Sequence, residues 1–208
     1  MKVSLDLHDW SVLNNRLDLL LKIKDHYPNF KVSLFTIPFD VAFEGGIQRI
    51  YREPALRMIK ENLDWMQIIP HGLTHQFREM ERCDYNLFRY GVMPSIKEAF
   101  EKDGLPYEKG FCAPFWLWNK DVVKALDDEG WWGGVDRNQP DMLKTKKFYT
   151  YSHSLEEPFY KSNLDTLKLH GHLDQTSDND LEECFINILK LPSKTEWHFV
   201  TDFLEEKE

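Results

Sequence analysis

Lys2-Val3-Ser4-Leu5-Asp6-Leu7-His8-Asp9 opens the chain, and its pattern decides the fold. Apolar and polar residues alternate as in a strand, and a helix-like series, Leu13, Leu17, Leu20 and Leu21, follows directly. An imidazole and a carboxylate therefore stand at a strand's C-terminal end. Barrel and doubly wound α/β folds gather their ligands and catalytic groups at that end. Taken alone, Asp9 reads as the N-cap of the helix that follows.

The arrangement recurs along the chain. Met66-Gln67-Ile68-Ile69-Pro70 runs into His71-Gly72-Leu73-Thr74-His75. Two histidines four apart share a face if the segment turns helical, and their ring nitrogens then converge on one cation. With 8 histidines in 208 residues, about 0.3 such pairs arise by chance, so the spacing alone is weak. The other strand ends supply the specificity: Cys112-Ala113-Pro114, Asp136, and the pair His170 and His172.

Strands are expected near 2–7, 30–36, 65–70, 109–113, 132–135, 165–170 and 197–200, with helices near 12–25, 47–62, 95–103, 119–129 and 178–190. Residues 136–164 are the least legible. Alternating strands and helices with short connections imply parallel strands and right-handed crossovers. The α/β fold expected is a small, closed or incomplete (β/α)7-type barrel of parallel strands, forming one domain over 1–208. Such a barrel brings every strand's C-terminus to one mouth, so groups far apart in sequence share a cleft.

Composition narrows the function. A net charge of −9 and a pI near 5.4 argue against a nucleic-acid partner, which requires clustered Lys and Arg. Cys83, Cys112 and Cys184 are odd in number and widely spaced, which indicates neither a disulfide framework nor a thiolate zinc site. No secretory signal and no 18-residue apolar run is visible, so a cytoplasmic protein without a membrane partner is expected.

In order and content these motifs resemble the polysaccharide deacetylase superfamily, the NodB-homology or carbohydrate esterase family 4 fold. Leu5-Asp6-Leu7-His8-Asp9 is similar to that family's first motif, an apolar strand ending in two aspartates. His71 to His75 is similar to the second, H-[ST]-x-x-H, with Gly72 in the Ser/Thr position. Cys112-Ala113-Pro114 resembles the third, R-x-P, and Leu167-Lys168-Leu169-His170 resembles the closing L-x-H. The resemblance implies a divergent member in which Asp9, His71 and His75 hold a divalent metal. It also implies that His8 stands where the family has its catalytic-base aspartate, and Cys112 where it has the arginine that orients that aspartate. The two departures fit together, because an arginine would lower the basicity of a neighbouring imidazole.

The chemistry of these groups agrees. One Asp and two His suit Zn²⁺ first, and Co²⁺, Ni²⁺ or Fe²⁺ as well, with a position open for water. His8 is suited to take a proton from that water, and Asp6, two residues back on the same side of the strand, either orients His8 or is itself the base. His170 is the candidate proton donor to a leaving amine. His172 exchanges roles with it or binds substrate, beside Trp116, Cys112 and Pro114. Gly171 is expected to turn the chain away between the two. The reading is a metal-dependent hydrolase deacetylating an N-acetylated sugar or related amide. The alternatives are a hydrolase of another C–N amide or ester bond, or a catalytically silent carbohydrate-binding barrel.

Overall fold

A computed structural model describes residues 1–39, 46–173 and 178–207, with the side chains of 46–51 and 178–181 outside the description. The element order is β1 (Lys2–Trp10), α1 (Leu17–His26), β2 (Val32–Thr36), α2 (Gly46–Lys60), β3 (Met66–Pro70), α3 (Tyr85–Leu87), a π turn (Phe88–Val92) and α4 (Met93–Asp103). There follow β4 (Gly110–Cys112), α5 (Lys120–Glu129), β5 (Trp132–Val135), β6 (Lys147–Thr150), β7 (His153–Ser154), β8 (Thr166–His172), α6 (Asp178–Ile188), β9 (Glu196–His198) and β10 (Glu205–Glu206). Every strand and helix expected from the sequence is present. Residues 136–164 supply the unexpected β6 and β7.

The strands form a parallel α/β fold in two sheets instead of one closed ladder. One sheet runs β3-β2-β1-β8-β7, with β9 also on β1; the other runs β10-β6-β5-β4. The β10–β6 pair is antiparallel and the rest are parallel. On one side the sheets meet at the isolated bridge His71 to Cys112, beside a backbone hydrogen bond from Glu108 N–H to the Ile68 carbonyl at 2.9 Å. On the other, β6 leads directly into β7, and Ser152 N–H donates to the Lys168 carbonyl at 2.8 Å.

Alternation along β1 sorts its residues between two environments. Val3, Leu5 and Leu7 are fully buried in the large core with helix residues such as Leu20, Ile23, Ile96 and Leu126. Ser4, Asp6 and His8 are equally buried but polar. A smaller cluster, Phe35, Ile69, Cys112, Trp132, Tyr149 and Val200, fills the space between the sheets. Buried polar groups need partners: Ser4 Oγ lies 3.2 Å from Tyr149 Oη, and Asp6 hydrogen-bonds His170.

β1 does not stop at Leu7 as the sequence pattern implies. It continues to Trp10 through a bulge: Leu7 pairs with Leu34 and Trp10 with Thr36, so one residue too many stands on β1. Asp9 at the bulge has φ 60°, and α1 begins only at Leu17, behind Arg16 as its N-cap. Asp9 is therefore not a helix cap. β8 likewise runs on through His172, so Gly171 is not a turn. A Cβ at Gly171 would stand 2.6 Å from Leu155 Cδ1 and 3.3 Å from Leu7 Cδ2; the glycine serves close packing.

Gly171→Ala should accordingly destabilise the protein by about 1–3 kcal/mol, the usual cost of overpacking. Urea titration of the variant beside wild type measures it, and an unchanged midpoint would contradict the packing assigned to this position.

Candidate metal centre and active site

Seven residues singled out in the sequence, Asp9, His71, His75, His8, His170, His172 and Trp116, come together at the strand C-termini. A cavity of about 220 Å³ opens there, lined by His8, Asp9, His71, His75, Ala113, Phe115, Trp116 and His172. Asp6 and His170 sit directly behind it, at 1% and 4% exposure. Cys112 and Pro114 lie behind the wall too, and neither lines the cavity.

Asp9 Oδ1 stands 3.3 Å from His71 Nε2 and 2.6 Å from His75 Nε2. One ligand atom from each of the three groups lies within 4.8 Å of the others. The two histidines do not converge through a helical turn, as their spacing implies. The chain instead leaves β3 in a loop with Gly72 at φ 66° and His75 at φ 58°. Gly72 is required twice over, because a Cβ there would also lie 2.4 Å from Pro114 Cγ. Glu79 Oε1 gathers the loop, accepting from Leu73 N–H at 3.1 Å, Thr74 N–H at 2.9 Å and the Thr74 hydroxyl at 3.3 Å. Sequence reading passed over Glu79, because a carboxylate that holds a loop through its backbone N–H groups leaves no mark in residue spacing.

The fit to a cation rests on one hydrogen bond. His71 Nδ1 lies 3.1 Å from the Cys112 carbonyl oxygen, which can only accept, so Nδ1 carries the proton. When that ring is neutral, its Nε2 lone pair faces the Asp9 carboxylate. Two electron-rich atoms 3.3 Å apart are stable together when a cation lies between them. Two other groupings, His8/His71/Cys112 and Asp6/His8/His170, also meet the distance condition. Burial, then Asp6, pushes the Cys112 thiol well up in the metal-free protein, and its Sγ lies 3.6 Å from the Ala113 carbonyl, outside the cavity lining. Asp6 is already hydrogen-bonded to His170. Of the three groupings, Asp9, His71 and His75 are the one whose members all line the cavity and could hold a metal ion there.

Around this set the imidazoles crowd. The His8 ring centroid is 4.6 Å from those of His71 and His170 and 5.5 Å from that of His172. Burial, followed by the neighbouring His170, His71 and His172, lowers the pKa of His8 well below its ordinary value. Burial, then His170, lowers His172 to about 4. At neutral pH both rings are uncharged, and each can accept a proton. Trp116 lies 4.9 Å from His8 and Phe115 5.0 Å from His75, and both aromatics have positive φ, 59° and 57°. With Asp9 and His75, four non-glycine residues at this one site adopt the left-handed conformation, each costing about 1–3 kcal/mol. Strain concentrated in this way marks a site held in a fixed geometry.

Glu79→Ala should reduce zinc affinity by about 10–100-fold, the range typical of groups that orient ligands; competition with a chromophoric chelator measures it, and unaltered affinity would deny Glu79 that part. For the metal-free protein, a His172 that charges near pH 4 when folded and near 6.5 when unfolded binds more protons in the unfolded state between those values. Stability should therefore fall as pH drops through that window. The decline in Tm between pH 7 and pH 4.5 should be shallower in His172→Gln, and parallel curves would refute this assignment.

No protein-family model matches the chain, and no curated protein matches it in sequence. Solved structures do match its fold. A pseudoenzyme of family CE4 from Bacillus anthracis is 18% identical with a TM-score of 0.58, over 97% of this chain and 64% of its own. This chain therefore spans just under two thirds of that protein's length. A T48 deacetylase solved with substrate is 12% identical with a TM-score of 0.62, covering 98% and 93%. A family 4 acetyl xylan esterase from Clostridium thermocellum, solved with a cobalt ion, is 15% identical with a TM-score of 0.62, covering 97% and 89%. At this level of identity the match shows the fold alone, and that fold is the one shared with the CE4 structures.

Proposed function

We propose that the protein is a metal-dependent hydrolase that deacetylates an N-acetylated sugar or a related small amide. The observation that carries this reading is the convergence of Asp9, His71 and His75 on one point of a cavity that His8 also lines. The fold similarity to CE4 deacetylases supports it. A bound transition ion, Zn²⁺ in the first place, would supply Lewis acidity to an acyl oxygen and lower the pKa of a coordinated water. Asp9 and the Nε2 atoms of His71 and His75 would hold it.

The chain's own groups supply the rest. His8, buried and neutral, accepts a proton at the cavity wall. His170 is the proposed donor to the departing nitrogen. His172 contacts the substrate from the wall, and Trp116 and Phe115 offer flat apolar faces to a sugar ring. The low exposure of His8 and His170 limits the water that reaches them.

A silent carbohydrate-binding barrel is the second reading. The pseudoenzyme among the structural neighbours favours it, as does the presence of His8 and Cys112 where the family resemblance places a catalytic aspartate and an arginine. Acetate release from N-acetylated oligosaccharides by zinc-loaded protein separates the two. On the deacetylase reading wild type is active, His75→Ala loses metal and activity together, and His8→Ala keeps its metal while kcat falls about 10²–10⁴-fold. Protein that holds one zinc per chain, binds the oligosaccharide, and hydrolyses neither it nor a panel of small amides and aryl esters establishes the silent barrel.

A further inference from the structure

The sequence pairs Asp6 with His8, its neighbour along β1. The structure gives Asp6 a different principal partner. β1 and β8 are parallel and in register, with Asp6 opposite His170, Leu7 opposite Gly171 and His8 opposite His172. Neighbouring strands lie about 4.7–4.9 Å apart, so side chains abreast on one face meet directly. Asp6 Oδ1 is hydrogen-bonded to His170 Nδ1. The same oxygen lies 3.4 Å from His8 Nε2, an ion-pair distance too long for a good hydrogen bond. All three residues are at most 4% exposed.

We infer that Asp6 is a positioning residue for His170: its carboxylate keeps one proton on Nδ1 and fixes the ring plane, so that Nε2 is the nitrogen that takes up a second proton from solvent and passes it to the departing nitrogen, returning the ring to its Nδ1–H form. The inference rests on the proposed hydrolase for the use of that proton, though not for the geometry. A carboxylate oxygen only accepts, so the shared proton belongs to Nδ1. His170 Nε2 is buried and makes no hydrogen bond among the described residues. That is an expensive state for a polar atom, and it is expected of a reactive atom kept ready for a ligand.

The remaining ring contacts leave Nε2 without a hydrogen bond among the described residues, with His172 and His8 edge-on at 4.5 and 4.6 Å. Tyr151 stacks on His170 at 4.5 Å with 24° between the planes, and its hydroxyl is turned away to donate to Asp136 at 2.7 Å. Trp116 closes another side at 5.4 Å. Tyr149, behind Asp6, has its phenol pushed well up by burial and then by Asp6. It stays protonated and adds no second negative charge. Asp6 is therefore the carboxylate that accepts the His170 Nδ1–H, and the contact of Asp6 with His8 is the weaker one.

Asp6→Asn changes the charge at nearly constant size and lets a side-chain amide N–H face Nδ1, which favours the opposite tautomer. In zinc-loaded wild type, nitrogen NMR of labelled histidines should show His170, identified by its loss in His170→Gln, with the proton on Nδ1. In Asp6→Asn the proton should move to Nε2. One zinc per chain should remain, and kcat on an amide should fall roughly 10²–10⁴-fold with little change in KM. An aryl ester, whose leaving group needs little protonation, should lose far less. A wild-type His170 protonated on Nε2 overturns the inference without any variant. So does an Asp6→Asn protein with an unmoved tautomer, or a second zinc in wild type that Asp6→Asn releases. Inactive wild type with the expected tautomer switch would instead reject the hydrolase reading and leave the positioning role standing.

Discussion

Adjacent residues on a regular strand face opposite ways, and this site needs His8 and Asp9 to face the same way. The bulge in β1 resolves that conflict. With one extra residue between Leu7 and Trp10 and a left-handed backbone at Asp9, both side chains reach the cavity while Trp10 stays fully buried in the core. The polar row Ser4, Asp6 and His8 can then lie between the sheets, and Val3, Leu5 and Leu7 can pack on the helices. An unbulged β1 would send the Asp9 carboxylate toward the apolar layer, where an unpaired charge is not tolerated.

Much of this was readable in the sequence, for identifiable reasons. Alternation marked β1, helical periodicity marked α1, α4 and α5, and chemistry-bearing residues at the ends of apolar runs marked the mouth. What escaped was local chirality. Period-two and period-3.6 patterns carry no information about a left-handed residue, so the bulge at Asp9 and the His71–His75 loop both looked regular. Gly171 was misread for a related reason: a glycine before a terminal histidine looks like a turn, and only the positions of Leu155 and Leu7 show that it is a packing site. The short β6 and β7 have four and two residues, too few for any period to emerge.

The partner of Asp6 shows a further limit. Spacing along one strand places Asp6 beside His8, but the register between β1 and β8 places it against His170. Register belongs to two strands separated by some 160 residues of chain, and neither strand encodes it alone. Electrostatics here is a property of the assembled mouth as well: burial and the neighbouring imidazoles together keep His8 and His172 uncharged at neutral pH.

The bridge between the ends of β3 and β4 has a mechanical meaning. His71 forms that bridge with Cys112, and the Cys112 carbonyl also accepts from Gly72 N–H at 3.0 Å. The clasp that fastens one sheet to the other is thus made from the residues that shape the ligand loop. A cation bound to the folded form alone at 1,000 times its dissociation constant adds about 4 kcal/mol to stability. Asp9 and the two histidines all belong to the β3-β2-β1 side, so this energy would go into tying the end of β1 to the loop after β3, and the loop so tightened is the one that carries the clasp.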